Sequence, residues 1–160
     1  MRYLPKSLSN KNKRPVILID DRERNPFRFG PEFETKRVRL EVGDYTLEGL
    51  EDKVVIEKKS GLSELLTDLS GKYRQRFKRF LSRMSQYPIK IMIVQDHLEN
   101  VTQAIRKLPP NARLTEATLY YWITAMQIDY GIQVFFIGNN PLIQKRYLNS
   151  LIQTIEVKII

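Results

Sequence analysis

Residues 42–59, Val-Gly-Asp-Tyr-Thr-Leu-Glu-Gly-Leu-Glu-Asp-Lys-Val-Val-Ile-Glu-Lys-Lys, decide the fold because they hold two short strand-forming runs around a polar, glycine-containing segment. The pattern predicts a β-hairpin with strands at residues 45–47 and 54–56 and a connection over residues 48–53. The register matters, because a slip of one residue turns every side chain of a strand to the opposite face.

The predicted register brings three charged side chains together. If the two ends of the connection pair, Asp44 lies directly opposite Glu57 on the neighbouring strand. Because side chains alternate along a strand, Glu57 and Lys59 point to one face and Lys58 points to the other. The hairpin is therefore expected to present two carboxylates and one amine at a single place.

Two carboxylates and a lysine at one place have two interpretations. Carboxylate oxygens bind Mg²⁺ or Mn²⁺, and a lysine beside them can position a nucleophile for phosphodiester hydrolysis. Asp20, at the end of an apolar run over residues 16–19, could add a further carboxylate. Equally, facing acidic and basic side chains form ordinary ion pairs on many hairpins. The residues alone leave both interpretations open.

The rest of the chain alternates strand-like and helix-like segments. Apolar or alternating runs predict further strands at residues 16–19, 36–42, 90–94 and 132–137. Helical spacing of apolar side chains predicts a helix from residue 60, and others at residues 73–86, 115–129 and beyond 140. This order predicts one domain over residues 16–160, a three-layer α/β/α sandwich with a mixed central sheet. Residues 1–15 are polar and basic, and we expect a flexible arm there.

The chain carries a large positive charge. It has 27 Lys and Arg against 18 Asp and Glu, which is a formal net charge of +9 over 160 residues. Such an excess favours a polyanionic partner, such as nucleic acid, over a role in solubility alone. No segment is apolar enough to span a membrane, and none has the form of a secretory signal. We therefore expect no membrane partner and an intracellular location, in the cytoplasm or nucleoid, or in the nucleus of a eukaryote.

The residue types that are rare in this chain narrow the chemistry. The sequence has no Cys and a single His, His97. Disulfide frameworks and thiolate metal sites are therefore excluded, and a zinc site or a Ser-His triad is disfavoured. Hydrolysis by this chain has to depend on carboxylates, lysine and hard metal ions.

Three ordered motifs resemble the nuclease domain of the XPF and Hef family of structure-specific endonucleases, a branch of the PD-(D/E)XK superfamily. The family has an Asp-x-Arg-Glu element after its first core strand, then Gly-Asp, then Glu-Arg-Lys and a final Asp. Here Asp20-Asp21-Arg22-Glu23 matches the first element, Gly43-Asp44 the second and Glu57-Lys58-Lys59 the third. The resemblance covers roughly residues 16–155 and implies a restriction-endonuclease-like fold.

The resemblance implies a role for each matching residue. Asp20, Asp44 and Glu57 would bind Mg²⁺ or Mn²⁺. Lys59 would orient the attacking water, and Arg22 would contact the scissile phosphate or brace the carboxylates. The implied activity is metal-dependent cleavage near junctions in flap, fork or other branched DNA, during DNA repair or recombination. Lys72, just before the predicted second helix, and four cations of that helix are expected to follow the phosphate backbone: Arg74, Lys78, Arg79 and Arg83.

Two departures from the family pattern leave other functions open. Lys58 stands where the family has Arg, which is a mild change if the side chain points outward. Ser63 stands where the family has its last Asp, and Glu64 replaces that carboxylate only if the helix start shifts. The alternatives are a catalytically weak or inactive DNA-binding subunit of a nuclease complex, and a Holliday-junction resolvase or restriction-like nuclease of the same superfamily.

The family enzymes usually append a helix-hairpin-helix module that grips branched DNA. We expect no such module in this chain. We therefore expect either a homodimer or a separate DNA-targeting partner.

Overall fold

The computed structural model describes residues 14–159, and this part of the chain forms six strands and five helices. The strands are β1 (Val16–Asp20), β2 (Glu34–Val38), β3 (Tyr45–Leu47), β4 (Val54–Lys59), β5 (Ile89–Val94) and β6 (Gln133–Phe136). The helices are α1 (Leu62–Asp68), α2 (Arg74–Met84), α3 (Val101–Arg106), α4 (Glu116–Ile128) and α5 (Pro141–Ile159). The predicted basic arm lies outside the described residues, apart from residues 14 and 15.

The strands form one mixed sheet in the order β2-β1-β3-β4-β5-β6. β3 pairs antiparallel with both of its neighbours, whereas the other neighbouring pairs are parallel. The carboxyl ends of β1, β4 and β5 therefore meet at one edge of the sheet, and β3 begins at that same edge. Polar residues that follow the parallel strands and precede β3 are brought together there, as expected for sheets of this kind.

Helices cover both faces of the sheet, which confirms the predicted three-layer α/β/α fold. α1, α2, α3 and α4 pack on one face against alternate strand residues such as Val55 and Met92. α5 packs on the other face, where Leu148 and Ile152 contact side chains such as Ile56. β1 and β5 bury apolar side chains on both faces of the sheet: Ile17 and Ile91 lie in the α5 core and Met92 lies in the opposite core, whereas Leu18 packs in a smaller cluster with Leu40.

The central hairpin has the register that the sequence predicts. Tyr45 pairs with Ile56, so that Asp44 faces Glu57 immediately beyond the ladder. Gly43 makes this approach possible: its φ is +79°, and a Cβ atom there would lie 2.5 Å from Cγ2 of Val55. Only glycine adopts this backbone without steric strain and also leaves room for β4.

β2 differs from the prediction. The alternation of residues 36–42 predicted a half-buried strand, whereas β2 is an edge strand that ends at Val38. Its ladder stops because the backbone of Leu40 is bound by side chains. Asp20 accepts a hydrogen bond from the Leu40 amide at 2.9 Å, and Arg22 donates to the Leu40 carbonyl at 2.8 Å. A strand prediction based on alternation does not include this competition from side chains.

The predicted helices are present with boundaries shifted by a few residues. The side chain of Thr115 accepts from the Thr118 amide and caps α4, as predicted. Asn140 likewise accepts from the Leu142 amide at 3.0 Å and precedes Pro141, the first residue of α5. Among residues 14–159, no helix has both the length and the apolar character needed to cross a membrane.

Candidate active site

A polar cleft of about 420 Å³ opens at the edge of the sheet where β1 and β4 end and β3 begins. Its lining includes Asp20, Arg22, Asp44, Glu57 and Glu64, and we call it the acidic cleft. The topology therefore brings the first, second and third sequence motifs to one place, although Asp20 and Glu57 are 37 positions apart in the sequence.

Asp44 and Glu57 form a carboxyl pair at the base of the acidic cleft. Burial raises the pKa of Glu57 well above its usual value, and the hydrogen bond to Asp44 raises it further, whereas the nearby Lys59 opposes the shift. Asp44 is held in place through its Oδ2, which accepts from the Lys58 amide at 2.8 Å. Two carboxyl groups in direct contact cannot both carry charge at low cost, so the contact with Asp44 favours the protonated form of Glu57.

Asp20 is the last residue of β1 and is held by Arg22. The guanidinium donates from Nε to Oδ2 at 2.8 Å and from Nη2 to Oδ1 at 3.2 Å. Burial alone would raise the pKa of Asp20, but the hydrogen bonds from Arg22 and the Leu40 amide lower it below the usual value. Asp20 therefore stays ionised, and the Arg22 side chain, which is 55% exposed, remains accessible from the cleft.

Lys59 lies on the same face of β4 as Glu57, as predicted, but is directed below the cleft. Its Nζ is 2.6 Å from Oδ2 of Asp68, a close ion pair that is not aligned as a hydrogen bond. The ammonium also lies 5.4 Å from the ring centroid of Phe77. Although burial alone would lower the pKa of Lys59, the charges of Glu57, Asp68 and Glu64 raise it. Lys59 is therefore charged, and it contributes no surface to the cleft.

Lys58 corrects one expectation. It points to the opposite face of β4, as the alternation predicts, but it is buried rather than directed outward, with 7% of its side chain exposed. Its Nζ donates to the backbone carbonyl of Asn25 and lies 5.1 Å from the ring centroid of Phe27. A buried cation that holds a loop is more sensitive to substitution than an exposed one. The Lys in place of the family's Arg is therefore not the mild change that an outward-pointing side chain would make it.

Glu64, next to the position where the third motif lacks its acid, lines the cleft. Ser63 is exposed, whereas Glu64 lines the cleft and accepts hydrogen bonds from the amide and hydroxyl of Ser60 at 2.6 and 2.7 Å. The helix does begin later than predicted, at Leu62 rather than at residue 60. A carboxylate therefore remains at this corner of the cleft.

Two residues of the site have no counterpart in the sequence prediction. Asp68, the partner of Lys59, sits at the end of α1, and Gln95, which lines the cleft, directly follows β5. Gln95 could have been found by the rule that predicted Asp20, because both are the first polar residues at the end of an apolar parallel strand. Asp68 does not follow a strand, so the sequence gives no comparable indication that it belongs to the site.

The carboxyl pair has the chemistry of a divalent-cation site. Acidic ligands must lose their protons when a metal binds, and the raised pKa of Glu57 means that a cation there would displace its proton. Mg²⁺ is commonly held by one or two carboxylates together with waters and substrate phosphates. Within residues 14–159, however, no three His, Cys, Asp or Glu side chains are grouped closely enough to hold a metal. Asp20 contacts Arg22 instead.

The helix cations singled out from the sequence lie outside the acidic cleft. Arg74 and Arg83 each donate to a backbone carbonyl, and Lys78 lies 5.5 Å from the centroid of an aromatic ring. Lys72 and Arg79 are exposed. Some of these cations therefore also have a structural role in α2 and its surroundings.

Solved structures with the same fold include two of XPF from Aeropyrum pernix. The structure described as XPF from Aeropyrum pernix superposes with a TM-score of 0.63 at 24% identity, over 88% of this chain and 61% of that chain. XPF from Aeropyrum pernix in complex with DNA gives a TM-score of 0.63 at 25% identity, over 91% of this chain and 66% of that one. The chain thus spans about two thirds of the length of these structures. No curated protein matches it by sequence.

A protein-family model, the ERCC4 domain, matches residues 19–143. The match begins in β1, one residue before Asp20, and ends inside α5. It therefore contains the three motifs, the hairpin and both sides of the acidic cleft. Since the match covers most of the chain, the protein belongs to the ERCC4 domain family, in agreement with its resemblance to the XPF and Hef nucleases.

Proposed function

We propose that this protein is a metal-dependent endonuclease that hydrolyses phosphodiester bonds near junctions in flap, fork or other branched DNA. The observation that carries the proposal is the Asp44–Glu57 carboxyl pair, which lines a polar cleft in an ERCC4 domain. DNA as the substrate is supported by the net charge of +9 and by the DNA complex of the similar XPF structure.

In this proposal the acidic residues of the cleft bind the metal, and the basic residue Arg22 binds the phosphate. Asp44 and Glu57 provide the oxygen ligands of the metal, and Asp20 would join them only if it turns from Arg22. When bound there, Mg²⁺ or Mn²⁺ supplies an activated water and positive charge beside the phosphate. Arg22 donates two hydrogen bonds to Asp20 and is exposed enough to bind a phosphate oxygen as well.

Lys59 and Glu64 have supporting roles in the same proposal. The charge of Lys59 next to Glu57 lowers the pKa of Glu57 and so favours the loss of its proton, which metal binding requires. To orient an attacking water directly, Lys59 would have to turn away from Asp68. Glu64 adds negative charge on the other side of the cleft from Arg22. The exposed cations Lys72 and Arg79 are proposed to contact the phosphates of duplex DNA outside the cleft.

An inactive DNA-binding subunit is the second candidate. Two observations favour it: Lys59 is paired with Asp68 rather than directed into the cleft, and no three-carboxylate cluster stands ready for a metal within residues 14–159. In this candidate function the protein keeps the DNA contacts but does not cleave DNA. The two functions therefore differ in cleavage and not in binding.

A substrate panel tests the proposal. End-labelled flap, fork, four-way-junction and plain duplex DNA are incubated with the protein in Mg²⁺, in Mn²⁺ and in EDTA, and both binding and cleavage are measured. We expect cleavage of flap or fork DNA near the junction with either metal and none in EDTA. Preferential cleavage of the four-way junction would instead indicate a resolvase.

Binding without cleavage in both metals would contradict the proposed function and support the inactive subunit. The salt dependence of binding gives a second readout, because each DNA phosphate neutralised by a cation steepens the loss of affinity with salt. The Lys72→Gln and Arg79→Gln variants are expected to reduce that slope on duplex DNA. Unchanged slopes would remove these cations from the DNA interface.

A further inference from the structure

A second concave surface lies on the opposite face of the sheet from α1. It is a groove of about 660 Å³ between residues 26–33, the edge strand β2 and α5, and we call it the phenylalanine groove. Its lining includes Phe29, Arg28 and Lys145. None of the roles proposed above uses it.

Phe29 presents a fixed aromatic surface to this groove. Phe27 and Phe33 are buried, whereas Phe29 is half-buried and lines the opening. Its ring packs edge-to-face with Tyr45 at a centroid distance of 5.8 Å and with Phe33 at 6.5 Å. These contacts hold the ring from behind and leave part of it accessible. An aromatic ring held in this way can stack on a nucleic-acid base of any identity.

Cations are the charged side chains that line the groove. Three cations line it, Arg28, Arg37 and Lys145, and its lining contains no carboxylate. Arg37 is used structurally, since it donates to the backbone carbonyls of Asp21 and Glu23. Within residues 14–159, Arg28 and Lys145 form no ion pair with a carboxylate. These two side chains are therefore available to an anionic ligand.

The phenylalanine groove is continuous with the acidic cleft along the chain. Glu23, Arg24 and Asn25 line the cleft, and the next three residues, Pro26, Phe27 and Arg28, line the groove. One loop thus passes from the cleft at the edge of the sheet to the groove beside α5. A flexible polyanion with its backbone in the cleft could follow this loop into the groove.

We propose that the phenylalanine groove binds the single-stranded arm of a branched DNA, with an unpaired base stacked on Phe29 and phosphates bound by Arg28 and Lys145. The inference rests on the proposed nuclease function for its choice of DNA. Single-stranded DNA is the occupant because a recessed ring is reached only by a base that is free of its partner strand. A duplex presents its phosphates outward and keeps its bases stacked.

Binding of labelled oligothymidylate and of flap DNA tests the proposal, measured by fluorescence anisotropy in EDTA so that cleavage plays no part. The variant Phe29→Leu keeps apolar packing against Tyr45 but removes the aromatic surface. We expect its affinity for single-stranded DNA to fall by about tenfold, the typical loss for one base–aromatic stack, with duplex affinity unchanged. Phe135→Leu is the matched control, because Phe135 is also half-buried but lies outside the groove.

A charge variant provides a second test that does not depend on the packing of Phe29. Lys145→Gln is expected to lower the slope of log affinity against log salt by about 0.7 for single-stranded DNA. Lys107→Gln, the same change at an exposed lysine outside the groove, is expected to have no comparable effect on this strand. If Phe29→Leu proves unstable in a thermal melt, the Lys145→Gln variant tests in its place whether the groove binds single-stranded DNA.

Photocrosslinking identifies the location of the arm directly. DNA that carries 5-iodouracil in the arm is irradiated with the wild-type protein, and the tryptic peptides are analysed. We expect the crosslink in the peptide of residues 29–36, which contains Phe29. The proposal is overturned if wild-type protein fails to bind single-stranded DNA, if the groove variants bind it like their controls, or if crosslinks occur only elsewhere. Because all readouts avoid cleavage, failure of the nuclease assignment would be seen separately.

Discussion

At the scale of single residues, the site depends on backbone positions as much as on charged side chains. Asp44 meets Glu57 because Gly43 lets the chain turn directly against β4. The Asp44 carbonyl also accepts from the Asp20 amide at 2.8 Å, and its amide donates to the Ile56 carbonyl at 2.9 Å. One residue thus ties together the strands that carry the carboxylates.

Replacement of Gly43 by Ala is expected to lower the free energy of unfolding by about 2 kcal/mol or more, because a left-handed backbone conformation is combined with a steric clash. The added Cβ would lie 2.5 Å from Val55. Gly49→Ala is the control: φ at Gly49 is +89°, but no atom lies within 4 Å of the added Cβ, so only the backbone strain of about 1 kcal/mol is expected. Urea denaturation measures both, and equal losses would contradict the close approach.

The ion pair beneath the cleft gives a second residue-scale prediction. Only 8% of the Lys59 side chain is exposed, so Asp68→Asn leaves a buried cation without its nearest partner. We expect a loss of about 2–4 kcal/mol in unfolding free energy. The control is Asp21→Asn, which breaks the exposed pair with Arg39 and is expected to cost less than about 1 kcal/mol. A loss at Asp68 no larger than that at Asp21 would show that the pair is not effectively buried.

At the scale of elements, the position of α1 depends on a residue far away in the sequence. The cap residue of α1, Gly61, has no side chain to bind the first helical amides. Asp96, which follows β5, accepts from the Leu62 amide at 3.0 Å instead. It also accepts from the His97 amide and from Asn100, both at 2.8 Å. Asp96 therefore holds the helix that carries Glu64 and Asp68 beside the cleft.

The pH dependence of stability tests this role. Burial alone would raise the pKa of Asp96, but its hydrogen bonds from Asn100, Leu62 and His97 lower it. A carboxyl whose pKa is lower in the folded protein stabilises it above the unfolded pKa of about 3.9, and this contribution is lost as pH falls through the folded pKa. Asp96→Asn is expected to cost about 1–2 kcal/mol at neutral pH.

The difference between wild type and Asp96→Asn should therefore shrink when urea denaturation is repeated in steps down to about pH 3. A difference that is constant over this range would mean that the charge of Asp96 does not stabilise the fold. Asp52→Asn, in the exposed connection of the hairpin, controls for general effects of removing an acid.

The elements also show what can be predicted from sequence and what cannot. The hairpin register followed from counting pairs outward from its connection, and the strand ends followed from the change from apolar to charged residues. The early end of β2 could not be predicted in this way, because Asp20 and Arg22 bind the Leu40 backbone from another strand. The ion pair of Lys59 was missed for a similar reason, since it depends on where α1 begins and how it packs.

At the scale of the whole molecule, one topological feature assembles the site. A parallel sheet with a single antiparallel strand places the ends of β1, β4 and β5 and the start of β3 at the same edge. Two helical layers bury the rest of the sheet and leave that edge open. The fold class and the motif positions were predictable from sequence, whereas the burial of Lys58 and the ion pair of Lys59 with Asp68 required the packed structure.

The central claim is that the Asp44–Glu57 pair performs metal-dependent DNA cleavage. The most direct measurement is the single-turnover rate on flap DNA in Mg²⁺ for wild type, Asp44→Asn and Glu57→Gln, with Asp52→Asn as a matched change in the same hairpin. We predict that both site variants lose more than about 100-fold in rate, which exceeds the usual cost of losing a residue that merely supports a metal ligand. Asp52→Asn should cut at the wild-type rate, and DNA binding should change little in any variant. Cleavage by Asp44→Asn or Glu57→Gln at the wild-type rate would contradict the claim.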